Sequence, residues 1–175
     1  MRFCDTPEFK RGQVGEDVVA KRLCEMGYSV FRASDSSGRY NAHAPQLQAF
    51  GARGVPVPDL DVSRHRRRFW VEVKTKSRAA VYRIWGCRAV HGIDSRCFQA
   101  YCAVERATGS PVWLAVYELD SKKVLIGRMT ELSKDGCSRL GNDHGEEMVY
   151  IARDAFTELT RPDFDLPLNQ TMPLF

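Results

Sequence analysis

The sequence predicts a single mixed α/β domain with a central β-sheet flanked by helices, and three observations carry that expectation. Its 175 residues suffice for one compact core. Near the N-terminus Val19, Leu23 and Met26 recur at i, i+4 and i+7, the spacing of an amphipathic helix. Further on, Val112–Glu118 (VWLAVYE) is a strongly apolar run that reads as a strand.

The elements follow in order. The first helix spans Gly12 to Gly27, with Gly27 as the stop signal. Tyr28–Arg32 is a short strand. Residues 34–54 are rich in Ser, Gly and Ala without periodicity, so they read as a long loop, a feature more often functional than merely connecting. Val57–Val62 and Phe69–Lys76 are β-rich runs separated by SRHRRR, an exposed turn between antiparallel strands. Residues 78–93 show no clear period. Asp94 caps a helix running to about Ala107, which Thr108-Gly109-Ser110-Pro111 ends. Lys123–Met129 is the expected neighbour of 112–118, and Met148–Ala152 is a shorter third strand. Residues 1–160 form the expected domain, and 161–175, with three prolines, an extended tail.

Composition narrows the function classes. Apolar residues make up 43% and charged residues 27%, which excludes wholesale disorder. No run reaches the roughly 18 apolar residues of a membrane span. MRFCDTPEFKRG lacks the apolar core of a secretion signal, so the chain is expected in the cytoplasm. The cysteines at 4, 24, 87, 97, 102 and 137 show no C-x-x-C pair, and the histidines at 43, 65, 91 and 144 complete no zinc pattern. Free thiols are expected. Residues 1–140 carry 24 Lys and Arg against 15 Asp and Glu, whereas 141–175 carry 2 against 7. A basic body of this kind favours a polyanionic partner.

The chemistry concentrates in PDLDVSRHRRRFWVEVKTK. Alternation along the second strand puts Val71 and Val73 on one face and Trp70, Glu72 and Lys74 on the other. Asp59 and Asp61 share a face of the preceding strand and would meet them across the hairpin, and either is eligible as the first carboxylate. Two carboxylates and an ammonium converging at strand ends suit phosphodiester hydrolysis, since carboxylates hold Mg²⁺ and a lysine stabilises a developing charge. An isolated Glu-x-Lys reads equally as a surface ion pair. A third acid, Glu16, falls within about 20° of Leu23 on a helical wheel, on the apolar stripe. An acid there needs a partner or a metal; pairing with Arg32 is the alternative. Gly12, one turn earlier, would allow close approach of backbone or phosphate.

Pro58-Asp59 followed by Glu72-Val73-Lys74 resembles the PD-(D/E)XK nuclease superfamily, whose fold is restriction-endonuclease-like. The helix motif Arg11-Gly12-x-x-Gly15-Glu16, with Leu23 and Gly27-Tyr28, is similar to the Holliday-junction-resolvase-like branch. The resemblance implies Asp59, Glu72 and Glu16 as ligands of Mg²⁺ or Mn²⁺, with Lys74 as the catalytic lysine. Ser36-Ser37-Gly38 is similar to a turn that approaches the scissile strand, which makes Ser37 a nucleic-acid contact, as Arg11 would be on the helix. Gln99 and Tyr101 match a glutamine and an aromatic found on the later helix of some members.

Arg64, His65, Arg66, Arg67 and Arg68 form the densest basic cluster, and Lys76 extends it. Phosphate contacts are the functional reading, a solvated hairpin tip the other. Tyr82 and Trp85 would stack on bases or pack in the core. His91 reads as polar surface in a loop. Gln170–Phe175 faintly resembles peptides that dock on bacterial sliding clamps.

The expected function is a Mg²⁺-dependent deoxyribonuclease of the structure-selective or repair and recombination kind, acting on duplex or branched DNA and possible as a homodimer. Two alternatives stand beside it: a sequence-specific restriction-type enzyme, and a nucleic-acid-binding or scaffold protein without turnover.

Overall fold

Thr6 opens the first ordered element. Its Oγ1 accepts the amide of Phe9 at 3.2 Å, and Pro7 in the first turn needs no partner for a missing N–H. In the computed structural model, which describes residues 6–33, 46–47, 55–83, 86–134, 137–141, 145 and 147–160, helix α1 therefore runs Pro7–Glu25. It begins a turn and a half before the expected Gly12, because the Thr6-Pro7 cap lies outside the periodic stretch that revealed the helix. Gly27 takes a φ of 83° and turns the chain into strand β1 (Ser29–Arg32).

Two short strands, β2 (Gln46–Leu47) and β3 (Val55–Pro56), pair with each other. Strand β4 (Leu60–Arg64) and strand β5 (Arg67–Lys76) form the expected hairpin. β4 starts three residues later than the expected Val57, because Pro58 lacks a ladder donor and Asp59 sits in a bend. His65 and Arg66 make the turn with φ of 50° and 65°, the left-handed pair that a two-residue hairpin turn requires.

Residues 78–93, which show no period in the sequence, hold two strands, β6 (Ala80–Tyr82) and β7 (Arg88–Asp94). Helix α2 (Ser95–Thr108) follows, with the Asp94 carboxylate accepting the amides of Arg96 and Cys97 and Gly109 closing it in the left-handed region. Strands β8 (Val112–Glu118) and β9 (Lys123–Arg128) lead to a short helix α3 (Met129–Leu132). Strands β10 (Cys137–Gly141) and β11 (Glu147–Ala152), a 3₁₀ turn at Arg153–Ala155 and strand β12 (Thr157–Glu158) complete the described chain.

The main sheet has the order β1-β4-β5-β8-β9-β12, with β5 and β8 parallel and the other neighbours antiparallel. β6, β7 and α2 supply the long crossover that a parallel pair requires. A second sheet, β10-β11-β7-β6, is wholly antiparallel. β11, expected as a third strand of the main group, belongs to this second sheet: Val149 and Ile151 pair with Ile93 and His91 of β7.

The main sheet is covered on both faces, so this is a mixed central sheet flanked by helices. On one side Val19 and Leu23 of α1 pack against Phe69, Val71, Val73 and Trp113. On the other, Phe98, Tyr101 and Cys102 of α2 pack with Trp70, Leu114 and Val116. Each such buried side chain contributes about 1.5–3 kcal/mol relative to exposure. All seven residues of β8 are buried, as their apolar run requires. No helix among the described residues is long and apolar enough to cross a membrane. Ser36-Ser37-Gly38, Trp85, most of the 34–54 loop, and the 161–175 tail with Gln170–Phe175 lie outside the described residues.

Candidate active site

Register delivers the carboxylates. Leu60 stands opposite Val71 and Asp61 opposite Trp70, so Asp59 comes level with the middle of β5. Its Oδ2 accepts the amide of Val73 at 2.8 Å. On β5 Glu72 is 2% exposed, and its Oε1 accepts Lys74 Nζ at 2.6 Å. Two residues along a strand return to the same face, and the ion pair forms there. Glu72 Oε2 is buried with no hydrogen-bond partner. Asp61 points to a different purpose: it receives two bonds of 2.7 Å from Arg68. Of the two aspartates, Asp59 is the one beside Glu72.

Glu16 reaches this group from α1. Gly15, one residue before it, lies against Thr75 of β5: a Cβ built there would sit 1.9 Å from Thr75 Oγ1. The close-approach glycine is thus Gly15. Gly12 meets nothing within 4 Å of a built Cβ, because it lies nearer the helix start, away from the sheet. Arg32 acts on Glu16 only through its charge, while its guanidinium pairs with Asp17.

The electrostatics are those of crowded acids around one cation. Burial, then the charge of Glu72, pushes the Asp59 carboxyl well above the usual aspartate range, against Lys74 and the Val73 amide. Glu16 is raised chiefly by burial, with Arg32 opposing and Glu72 adding to the rise. For Lys74 burial acts downward, but Glu72 and Asp59 outweigh it and its pKa is raised. It stays an ammonium. From α2, Tyr101 stands beside Glu72, its phenol pushed up by burial and then by that carboxylate. Cys97 lies one turn earlier, near enough to Lys74 to feel its charge.

Among the described residues no three His, Cys, Asp or Glu are already arranged around a metal position. The donor chemistry nevertheless fits a hard divalent cation. Mg²⁺ takes one or two carboxylates and retains several waters, and here Glu72 Oε2 lacks a hydrogen-bond partner while burial, with the charge of Glu72 adding, raises the pKa of both Asp59 and Glu16.

The basic residues divide into two groups. Arg66, Arg67 and His65 are exposed at the hairpin tip, and Arg11 is exposed on α1. Arg64 covers the Tyr28 ring at 5.2 Å and Arg68 the Trp70 ring at 4.8 Å. Lys76 is half-buried beside Lys74, and its pKa is lowered first by burial and then by that lysine. Gln99 is exposed and donates to Ser95 Oγ at 3.2 Å; the α2 residues beside the site are Cys97 and Tyr101.

No family model and no curated protein matches the sequence. Solved structures do match the fold. A Holliday junction resolvase, Hjc, from the archaeal hyperthermophile Archaeoglobus fulgidus superposes with a TM-score of 0.52 at 13% identity, covering 83% of this chain and 91% of its own. A nuclease from a fusselovirus also gives 0.52, at 10% identity, with 88% of each chain covered. The chain shares the fold of these two structures. At these identities the resolvase fold is what is shared, and the residues that act on it are argued from this chain.

Two features of the site and one outside it escaped sequence reasoning. Gly15 shares the apolar stripe with Val19 and Leu23 at i+4 and i+8, a signal that was present. Tyr101 was visible, but its contact with Glu72 was not. His91, read as loop surface, lies in β7 at 3% exposure and bonds Glu118 Oε1 at 2.9 Å. Its strand was hidden because Gly92 and the short apolar runs around it break the alternation that marks a strand.

Proposed function

We propose that this chain is a Mg²⁺- or Mn²⁺-dependent endonuclease that hydrolyses DNA phosphodiester bonds, of the structure-selective, repair or recombination kind. The observation that carries the reading is Glu72: one oxygen is held by Lys74 at 2.6 Å, and the other, Oε2, is buried without a geometric hydrogen-bond partner although the Tyr101 phenol interacts with the carboxylate. A buried acceptor left unsatisfied costs about 1–3 kcal/mol, and a purely structural ion pair has no reason to keep one.

Glu72 Oε2, Asp59 and Glu16 would hold the cation. Such an ion supplies Lewis-acid polarisation of a phosphate oxygen and acidification of water. The residues of the chain do the rest. Glu72 fixes the Lys74 ammonium, which stays charged and offsets the negative charge that develops as water attacks phosphorus in line. The Val73 amide orients Asp59, and the Tyr101 phenol stands against the Glu72 carboxylate. Arg66, Arg67, Arg11 and Lys76 would meet the nucleic-acid backbone on either side.

The test is cleavage of labelled duplex, single-stranded, flap, four-way-junction and RNA substrates, with Mg²⁺, Mn²⁺ or EDTA. Metal-dependent cutting, reduced about 100-fold or more in Lys74→Ala, is the expected result, and the preferred substrate names the subclass. Cutting both strands of a duplex would take two copies, which the elution volume on a sizing column reports. Binding without cutting under every metal would overturn the reading in favour of a nucleic-acid-binding protein without turnover. The Glu72–Lys74 ion pair, which satisfies one carboxylate oxygen from within the chain, is the observation that favours that second reading.

A further inference from the structure

Among the described residues three large apolar side chains are strongly exposed, Val14 at 49%, Phe31 at 64% and Val81 at 66%. Phe31 is the aromatic one, and its place in the sheet is specific. It stands opposite Asp61 on β4, which stands opposite Trp70 on β5. Residues directly opposite one another share a face, so Phe31 lies on the face that carries Trp70 and, one pleat on, Glu72. Ala33, two residues after Phe31, packs into the same apolar layer as Trp70. Two strand spacings and one pleat put Phe31 about 12 Å from Glu72, or three to four base steps of a nucleic acid.

The surroundings match a nucleobase better than a protein or lipid. The Asp61 carboxylate, the one acid in this row, is neutralised by two bonds from Arg68. The Arg68 guanidinium lies over the Trp70 ring, and Arg66 and Arg67 are exposed on the adjoining turn. A planar apolar ring beside cations that attract phosphate is the composition of a base-stacking surface. β1 is also the edge of the main sheet, where an exposed aromatic is a pairing liability unless something uses it.

We propose that Phe31 stacks on an unpaired base of the bound nucleic acid, a few nucleotides from the scissile phosphate, and so favours branched or single-strand-bearing substrates over continuous duplex. This rests on the proposal that the site binds nucleic acid, and it deepens that reading by naming the residue that senses structure. A base inside continuous duplex already has both faces stacked and gains nothing from Phe31. A base freed at a branch gains a ring.

The test is equilibrium binding in EDTA, where nothing is cut, to a fully paired duplex and to the same duplex bearing a single-stranded arm with 2-aminopurine near the branch. Phe31→Ala is expected to weaken binding to the armed substrate about tenfold, leave the paired duplex unchanged, and abolish the quenching of 2-aminopurine fluorescence. Phe31→Tyr keeps the ring and should retain all three. The side chain is exposed, so the thermal midpoint should not move. Equal loss on both substrates, no loss on either, or absence of binding by the parent chain each overturns the proposal. Cleavage is not the readout: a parent chain that binds the arm through Phe31 yet cuts nothing refutes the nuclease and leaves the stacking intact.

Discussion

Asp59 shows how one residue of the proposed site can oppose the fold. It is enclosed beside Glu72, and its pKa is raised above the ordinary 3.8 by burial and then by that neighbour. The native state therefore holds more protons than the unfolded one above pH 3.8, so stability falls as pH rises through this window up to the folded pKa. In a chelating buffer Asp59→Asn should unfold at higher urea than the parent at neutral pH. The advantage should vanish at and below about pH 3.8, where the parent is protonated in both states. With Mg²⁺ present the order is expected to reverse, because a cation bound only by the native parent stabilises it, by about 2.7 kcal/mol at a hundred times its Kd. Urea titrations with and without the metal check both halves.

Lys74 and Glu72 were legible as a pair from alternation alone. Which aspartate joins them was not. Asp59 and Asp61 are one pleat apart in the same run, and only the hairpin partner separates them: Arg68 takes Asp61, while the Val73 amide takes Asp59.

Helix α1 owes its place to a missing side chain. Gly15 lets the helix settle on β5 until it meets Thr75, whose Oγ1 is buried without a hydrogen-bond partner. That contact puts Glu16, the next residue, within electrostatic reach of Glu72 and Lys74. Gly15→Ala should cost about 1–3 kcal/mol by overpacking and lift Glu16 away from the site. Thr75→Ala removes the obstructing oxygen along with an unsatisfied hydroxyl, so it should be nearly neutral alone and recover most of the loss in the double variant. A double-mutant cycle in urea gives the coupling. Metal-dependent stabilisation measured on the same variants reports whether Glu16 returns with the helix.

The hairpin of β4 and β5 was likewise predictable in kind, since two β-rich runs flank a charged turn. Its turn type was not, because His65 and Arg66 occupy a left-handed conformation that glycine or asparagine ordinarily supplies.

At the scale of the molecule, a polar knot links the two sheets beside the apolar cluster they share. Glu118, at the end of β8, accepts from Arg153 at 2.8 Å through both oxygens, from Ser121 at 2.7 Å, and contacts His91 of β7. The Arg153 hydrogen bonds, with those from Ser121 and His91, hold Glu118 at about 2, against an ordinary 4.5 and against its burial. Burial depresses His91 below its ordinary 6.5, with the Glu118 contact opposing. A depressed histidine binds fewer protons folded than unfolded, so stability is lost as pH falls below about 6.5. A depressed carboxylate contributes stability that is lost between 4.5 and about 2. Acid unfolding should therefore begin near pH 6 and steepen below 4.5. His91→Gln, which can still donate to Glu118, should remove the first phase and leave the second. Urea midpoints across pH 3–8 test this.

By itself the sequence determined helices α1 and α2, the β4–β5 hairpin, the buried β8 and, of the proposed site, Glu16 on its apolar stripe and the Glu72–Lys74 pair. Local spacing encodes all of these: period 3.6, period 2, caps, and acids or lysines misplaced on apolar patterns. Tertiary structure alone decided what depends on partners distant in the chain. The second sheet pairs β7 with a strand more than fifty residues away, so β11 was legible as a strand but not its place, and β7 carries no complete pattern of its own. Gly15 against Thr75, His91 against Glu118 and Phe31 in one cross-strand row with Asp61 and Trp70 are likewise meetings of separate segments. Spacing within one segment carries no trace of the surface that another will bring to it.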